Sequence, residues 1–423
     1  MNTDKHRFLR TALLPSVFIG VHLWLTPLSF AQNFEKRWLS GVFYGEGANF
    51  GDFNKDGKLD VVSGPYIYDG PEFTVKREFM PREPSDPLHY SKNFFAYAHD
   101  FTKDGYDDIV IIGFPGQETF WYENPGAAAS EAAKEVKHWK QHLVLKVTDN
   151  ESPVLANVVG APPDTTPELV CMSGGHLGYA SVDPADPTTP WKFTAVSPKV
   201  GDYQRFTHGL GVGDVNGDKK LDLLEKNGWW EQPASADGAS DDAAAGPASA
   251  GPWKLHEYKF SGPGGAQMYA YDVDGDGDND VITSLHAHGY GLAWYEHVKD
   301  GDEIDFKQHL ILSPKPEEKL NDVQFSQLHA VELVDIDGDG LKDILTGKRY
   351  WAHGPTGDPD PEGAPVLYWF KLSRDGGKAK YEPRKIDAAS GVGTMVATGD
   401  ANGDKKPDII VGNKRGTILF LSK

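Results

Sequence analysis

Along most of the chain, short apolar runs alternate with polar, glycine-rich connections, and the connections repeat. One nonapeptide, Asp-x-Asn/Asp-x-Asp-Gly-x-x-Asp, recurs as Asp52-x-Asn54-x-Asp56-Gly57-x-x-Asp60 and as Asp100-x-Thr102-x-Asp104-Gly105-x-x-Asp108. It returns as Asp214-x-Asn216-x-Asp218-Lys219-x-x-Asp222 and as Asp272-x-Asp274-x-Asp276-Gly277-x-x-Asp280. The last two copies are Asp335-x-Asp337-x-Asp339-Gly340-x-x-Asp343 and Asp400-x-Asn402-x-Asp404-Lys405-x-x-Asp408. A β-branched or leucine run follows each copy (Val61-Val62, 109–112, Leu223-Leu224, Val281-Ile282, Ile344-Leu345, 409–411). In four repeats an aromatic stretch comes next, as in Trp229-Trp230 and Trp294-Tyr295. A further segment recurs as Trp139-Lys-Gln-His142, Trp253-Lys-Leu-His256 and Phe306-Lys-Gln-His309. Short apolar runs bounded by turn residues read as strands. With the strand that enters each loop, the pattern predicts four strands per repeat.

The copies begin at 52, 100, 214, 272, 335 and 400, and the gap from 100 to 214 is double the others. A seventh, degenerate copy is expected at 160–168, keeping only Asp164 and Glu168. Seven four-stranded repeats predict an all-β fold, a seven-bladed β-propeller. The last repeat lacks its fourth strand, and a spare copy of that strand stands at 37–43. The N-terminal strand is therefore expected to complete the last blade and close the ring, leaving no open edge. Two segments, 127–137 and 234–251, read as insertions, the second of them low-complexity.

Composition fits many short strands joined by turns, with 47 Gly, 29 Pro and 12% aromatics. A formal net charge of -20 argues against a nucleic-acid partner, which would require clustered basic residues. With one cysteine, Cys171, no intrachain disulfide is possible. Lys5, Arg7 and Arg10 precede an apolar run over 11–25, and Ser29-Phe30-Ala31 is a small-x-small cleavage signature. Residues 1–31 thus read as a signal peptide and 32–423 as the propeller. The run is too short, and too broken by Pro15, His22 and Pro27, for a membrane span. A secreted or periplasmic monomer is expected.

Calcium takes six to eight oxygen ligands. Side chains at positions one, three, five and nine of each loop, with a backbone carbonyl at seven, provide such a set. Gly at position six permits the sharp turn. Lys219 and Lys405 at that position are expected to weaken their loops, and the copy at 160–168 is expected to bind nothing. These loops resemble the FG-GAP/VCBS repeats of integrin-α-type propellers, which implies a calcium-stabilised propeller over 38–423. Strings such as Thr207-His208-Gly209 and Thr346-Gly347-Lys348-Arg349 look like bacterial secreted proteins of this class. Some of that class are similar to the propeller part of aldos-2-ulose dehydratase, a sugar dehydratase, although its cupin domains have no room here.

His208 and His329 each stand six residues before a loop, and His176 and His288 each stand eight residues after a ninth position. A strand carries the chain from one end of a blade to the other, so these residues are expected on the face opposite the Asp loops, with His286 and His353 nearby. A histidine cluster there suits a transition metal or acid–base chemistry. Lys348 and Arg349, with Tyr179, Tyr269 and Tyr290, are candidates to hold an oxyanion or sugar hydroxyls. The expected activity is a carbohydrate lyase or dehydratase acting on an oxidised sugar. The alternative is a non-catalytic propeller that binds a glycan or a protein. His142, His256 and His309 belong to the outer-strand motif and are expected to be structural.

Overall fold

The computed structural model describes residues 33–126, 138–159, 166–233, 252–300 and 303–423. The leader at 1–31, both insertions and loop residues 160–165 lie outside them. Among the described residues there are strands and no helices, and no helix is long and apolar enough to cross a membrane. The protein is all-β, a propeller-like ring of small antiparallel sheets. In the first sheet, Ala48–Gly51, Asp60–Ser63, Tyr66–Asp69 and Val75–Glu78 lie side by side in chain order. The strand that enters each Asp loop is the first of its sheet, and these first strands face one another. Asn49, for example, donates its side-chain amide to the carbonyl of Ala96 in the next sheet.

Closure follows the expected route. Phe34–Ser40 pairs antiparallel with Gly416–Ser422 and becomes the fourth strand of the last sheet. Strand count per repeat also agrees, but separation into seven sheets does not. Five sheets have four strands, and one has eight. In the eight-stranded sheet, Leu210–Gly213 pairs in parallel with Gln267–Tyr271 through Leu210↔Gln267 and Gly211↔Met268. Glycine permits this approach. A Cβ at Gly211 would lie 1.9 Å from the Met268 carbonyl oxygen, and one at Gly213 would lie 2.6 Å from the Ala270 Cβ.

The ninth residue of each loop turns inward. Asp60 accepts the backbone N–H of Phe53 at 3.2 Å and that of Gly70 at 2.8 Å, which ties the loop to the third strand. Asp108, Asp222, Asp280, Asp343 and Asp408 repeat this arrangement. Glu168 repeats the loop half of it, accepting the N–H of Val158 at 2.8 Å and standing opposite Ala156, as Asp60 stands opposite Gly51. The degenerate copy therefore begins at Asn157 rather than 160 and is three residues longer than the others. Its ninth position keeps the carboxylate that caps the start of the loop.

The outer strands behave as structural elements. His142, His256 and His309 stack on Trp121, Trp229 and Trp294 with ring centroids 4.5, 4.0 and 4.3 Å apart. Each also meets a glutamate on the neighbouring strand: Glu123, Glu231 and Glu296. Cys171 is buried.

Candidate metal centre in the funnel

One repeat position supplies most of the site. The residues six before the seven loops, counting the degenerate loop from Asn157, are Glu46, Phe94, Glu151, His208, Ala266, His329 and Thr394. Each sits where the chain enters a first strand, at the end away from the Asp loops. A strand rises about 3.3 Å per residue, so the two ends are separated by roughly 20 Å.

Glu151, His208 and His329 converge there with His288, which comes from the connection after Asp280–Ser284. His208 Nε2 lies 3.2 Å from His329 Nε2, 3.1 Å from His288 Nε2 and 3.6 Å from Glu151 Oε2. His329 Nε2 lies 3.0 Å from the same carboxylate oxygen. A single lone pair or N–H on His208 Nε2 cannot serve three neighbours at once, whereas a shared cation does. Ligands about 2.0–2.1 Å from a tetrahedral metal lie about 3.3–3.4 Å apart, close to these separations. Three imidazoles and one carboxylate form a donor set suited to zinc or a similar first-row ion.

The electrostatics agree with neutral His288 and His329 beside an ionised carboxylate. Burial alone would raise the Glu151 carboxyl, but hydrogen bonds to His208 and His329 outweigh it and hold it well below the usual carboxylate range. Burial, then the Arg349 charge, push His329 well below an ordinary histidine. Burial pushes His288 down to about 4.

Around this core stands a second layer. Asp358 Oδ1 lies 3.3 Å from His288 Nδ1 and 2.7 Å from His353 Nδ1. Its carboxyl, which burial would raise, is held far down by hydrogen bonds to those two imidazoles. A carboxylate behind a ligating imidazole fixes its tautomer and orientation. The hydrogen bond to Asp358 raises His353, whose ring is half exposed and 4.5 Å from that of His288 between centroids. Arg349 is buried, 2.5 Å from Glu46 Oε2 and 3.6 Å from Glu151 Oε2.

Of the eight residues expected in a catalytic site, His208, His288, His329, His353 and Arg349 meet here, and three do not. His176 hydrogen-bonds the Ser197 carbonyl on its own sheet. The same count from the ninth position leads elsewhere because Gly174-Gly175 form a two-residue turn, whereas 285–291 is a seven-residue loop that bends over the funnel. Tyr269 is committed to packing, donating its hydroxyl to the Val331 carbonyl at 2.9 Å. Lys348 is buried against Ser326, with Asp360 3.7 Å away, and burial lowers its pKa.

Glu151, Asp358 and Glu46 were missed. Starting the degenerate copy at Asn157 places Glu151 in the position of His208 and His329, so a sequence signal existed. Glu46 stands at that position too. Asp358 belongs to the long connection 348–366, which carries no repeat register.

At the other end, the first carboxylate of a loop organises the turn. Asp52 accepts the N–H groups of Asp56 and Gly57, and Asp335 those of Asp339 and Gly340. Asp272, Asp274 and Asp276 bring carboxylate oxygens within 4.8 Å of one another, as do Asp335, Asp337 and Asp339. These two loops have Gly at both positions four and six. Lys219 and Lys405 instead adopt left-handed φ values of 70° and 67°. The acidic clusters fit a hard cation, although Lys371 already hydrogen-bonds both Asp337 and Asp339.

Comparison with known proteins shows FG-GAP-like repeats, matched at residues 272–346 and 335–411. A solved structure of an Agrocybe aegerita lectin, described for specific recognition of non-reducing terminal N-acetylglucosamine, is 15% identical with a TM-score of 0.48. The likeness covers 90% of this chain and 86% of that one, and at this level it carries no functional inference. No curated protein matches the sequence, and the expected likeness to the sugar dehydratase finds no support.

Proposed function

We propose that this chain is an exported, calcium-stabilised propeller whose funnel holds one transition-metal ion and performs proton abstraction and elimination on a carbohydrate. The observation that carries the reading is the meeting of three imidazole Nε2 atoms and one carboxylate at 3.0–3.6 Å. In this reading the eight-stranded sheet counts as two blades, giving seven. Calcium occupies the Asp loops, and residues 1–31 direct export.

Glu151, His208, His288 and His329 would hold the metal, which when bound supplies Lewis acidity to a substrate carbonyl oxygen. His353 is placed to act as the base. Asp358 keeps the proton on Nδ1, which leaves Nε2 free to take a proton from the carbon beside that carbonyl. The electron pair of the broken C–H bond forms the C=C bond as the neighbouring C–O bond breaks. The imidazolium returns its proton to the departing oxygen. Arg349 positions Glu151 through their ion pair.

Metal analysis and turnover test this together. Purified protein should hold one equivalent of transition metal, lost in His329→Ala but retained in His353→Ala. His353→Ala should lower formation of unsaturated product by roughly 10²–10⁴-fold. Calcium alone in the wild type, with no turnover of oxidised sugars, would favour a binding propeller instead.

A further inference from the structure

Beside the funnel lies an aromatic and basic ledge that the elimination chemistry does not use. The rings of Tyr90, Phe114 and Phe206 form a continuous row, with centroids 4.8 Å apart for Tyr90–Phe114 and 5.5 Å for Phe114–Phe206. Tyr90 is 39% and Phe206 45% exposed, so the row faces water rather than packing between sheets. It reaches the funnel at Tyr90, whose ring is 6.4 Å from that of His353. At its far end the guanidinium of Arg205 lies 5.0 Å from the Phe114 ring and 4.7 Å from the Phe206 ring.

Arg205 also borders a cavity of about 450 Å³ with Lys199, Gln204 and Asp149. Among the described residues, neither Arg205 nor Lys199 makes an ion pair, although the chain carries 62 Asp and Glu against 42 Lys and Arg. Exposed lysines such as Lys58 and Lys192 are unpaired too, but here the guanidinium is also held over two rings at the edge of a cavity, which presents it to an external anion. The cavity is tied to the metal centre through the backbone. Phe206 N–H donates to the Asp149 carbonyl, and Glu151 N–H donates to that of Thr207. Successive residues thus diverge, with Glu151 and His208 turning into the funnel while Arg205 and Phe206 line the ledge. Phe206 holds a left-handed φ of 71°, strain of a kind that gathers at functional positions.

We infer that this ledge is a subsite for an anionic oligosaccharide: sugar faces stack on Tyr90, Phe114 and Phe206, and a carboxylate is forked by Arg205 with Lys199 beside it. Aromatic rings suit the apolar faces of pyranoses. A planar guanidinium suits a bidentate carboxylate. The inference rests on the funnel being the site of action, and it narrows the substrate class to uronate-containing chains of at least two residues.

Calorimetry on the full chain carrying His353→Ala, so that turnover does not consume the probe, tests it with two trimers of equal length. Galacturonate trimer should bind at least tenfold more tightly than galactose trimer. Arg205→Met should abolish that preference, and Phe206→Ala should weaken binding of both trimers. Circular dichroism checks that each variant folds. Equal binding of the two trimers, binding of neither, or a preference untouched by Arg205→Met would overturn the subsite. Metal content of the same samples separates the two readings. Galacturonate binding in a protein without transition metal sinks only the lyase. A metal-loaded funnel whose ledge ignores both trimers sinks only the ledge.

Discussion

Carboxylates at the two ends of the first strands are both buried, yet their ionisation is pushed in opposite directions. At the loop end, burial raises the carboxyls of Asp60, Asp108, Asp222, Asp280 and Asp343 to about 7, against the help of backbone N–H donors. At the funnel end, Glu151 and Asp358 are held down because imidazoles meet them directly. The lesson is that backbone amides do not offset burial of a carboxylate, even with the Arg77 guanidinium 3.4 Å from Asp60, whereas imidazoles in direct contact do. The proposed calcium would bring the loops a charge from outside the chain. The funnel has Arg349 and its histidines built in.

Removing the internal charge is expected to have the largest effect on that contrast. Arg349→Met would leave Glu46 and Glu151 buried without their partner, and a broken buried pair costs about 3–5 kcal/mol. The midpoint of denaturant unfolding reads this, and a loss below about 1 kcal/mol would erase the distinction between the ends. Removing the external charge comes next. Calcium at a hundredfold excess over Kd adds about 2.7 kcal/mol per site, so a chelator should lower the Tm. An unchanged Tm would mean that the loops hold without metal.

Glu332 sharpens the comparison because, among the described residues, no ion pair or imidazole meets its carboxylate. Its carboxylate accepts a hydrogen bond from Thr398, yet burial raises it to about 7 from 4.5. The unfolded chain loses this proton first, so the contribution is fully present below pH 4.5 and disappears as pH rises towards 7. Wild type should lose about 2 kcal/mol over that window relative to Glu332→Gln, allowing for residual solvent contact. Parallel pH profiles would show that Glu332 is hydrated. The smallest effect belongs to the turns. Lys219→Gly and Lys405→Gly should each add about 1 kcal/mol by relieving left-handed backbone, read as a higher Tm in calcium.

Much of the ring was legible because each loop, strand and aromatic run repeats in register, including the spare strand at 37–43 that closes it. The fusion of two sheets was not. It depends on how near Gly211 comes to Met268, a tertiary distance that strand pattern does not encode. In the site, counting six residues back from a loop found His208 and His329, because a first strand is short and runs straight. Counting eight forward worked for His288 and failed for His176, since the second strand leads into a free loop in one sheet and a tight turn in the other. Asp358 lies in a 19-residue connection, 348–366, where no count applies.

Ring closure ties the order of synthesis to the order of assembly. The strand Phe34–Ser40 finds its partner only when Gly416–Ser422 has been made, and the centre draws on residues from Glu46 to Asp358. The side chains of the centre therefore come from several repeats and cannot meet until Asp358 has been made. The site is thus a property of the ring, assembled from segments more than 300 residues apart, as the closing sheet is from Phe34–Ser40 and Gly416–Ser422.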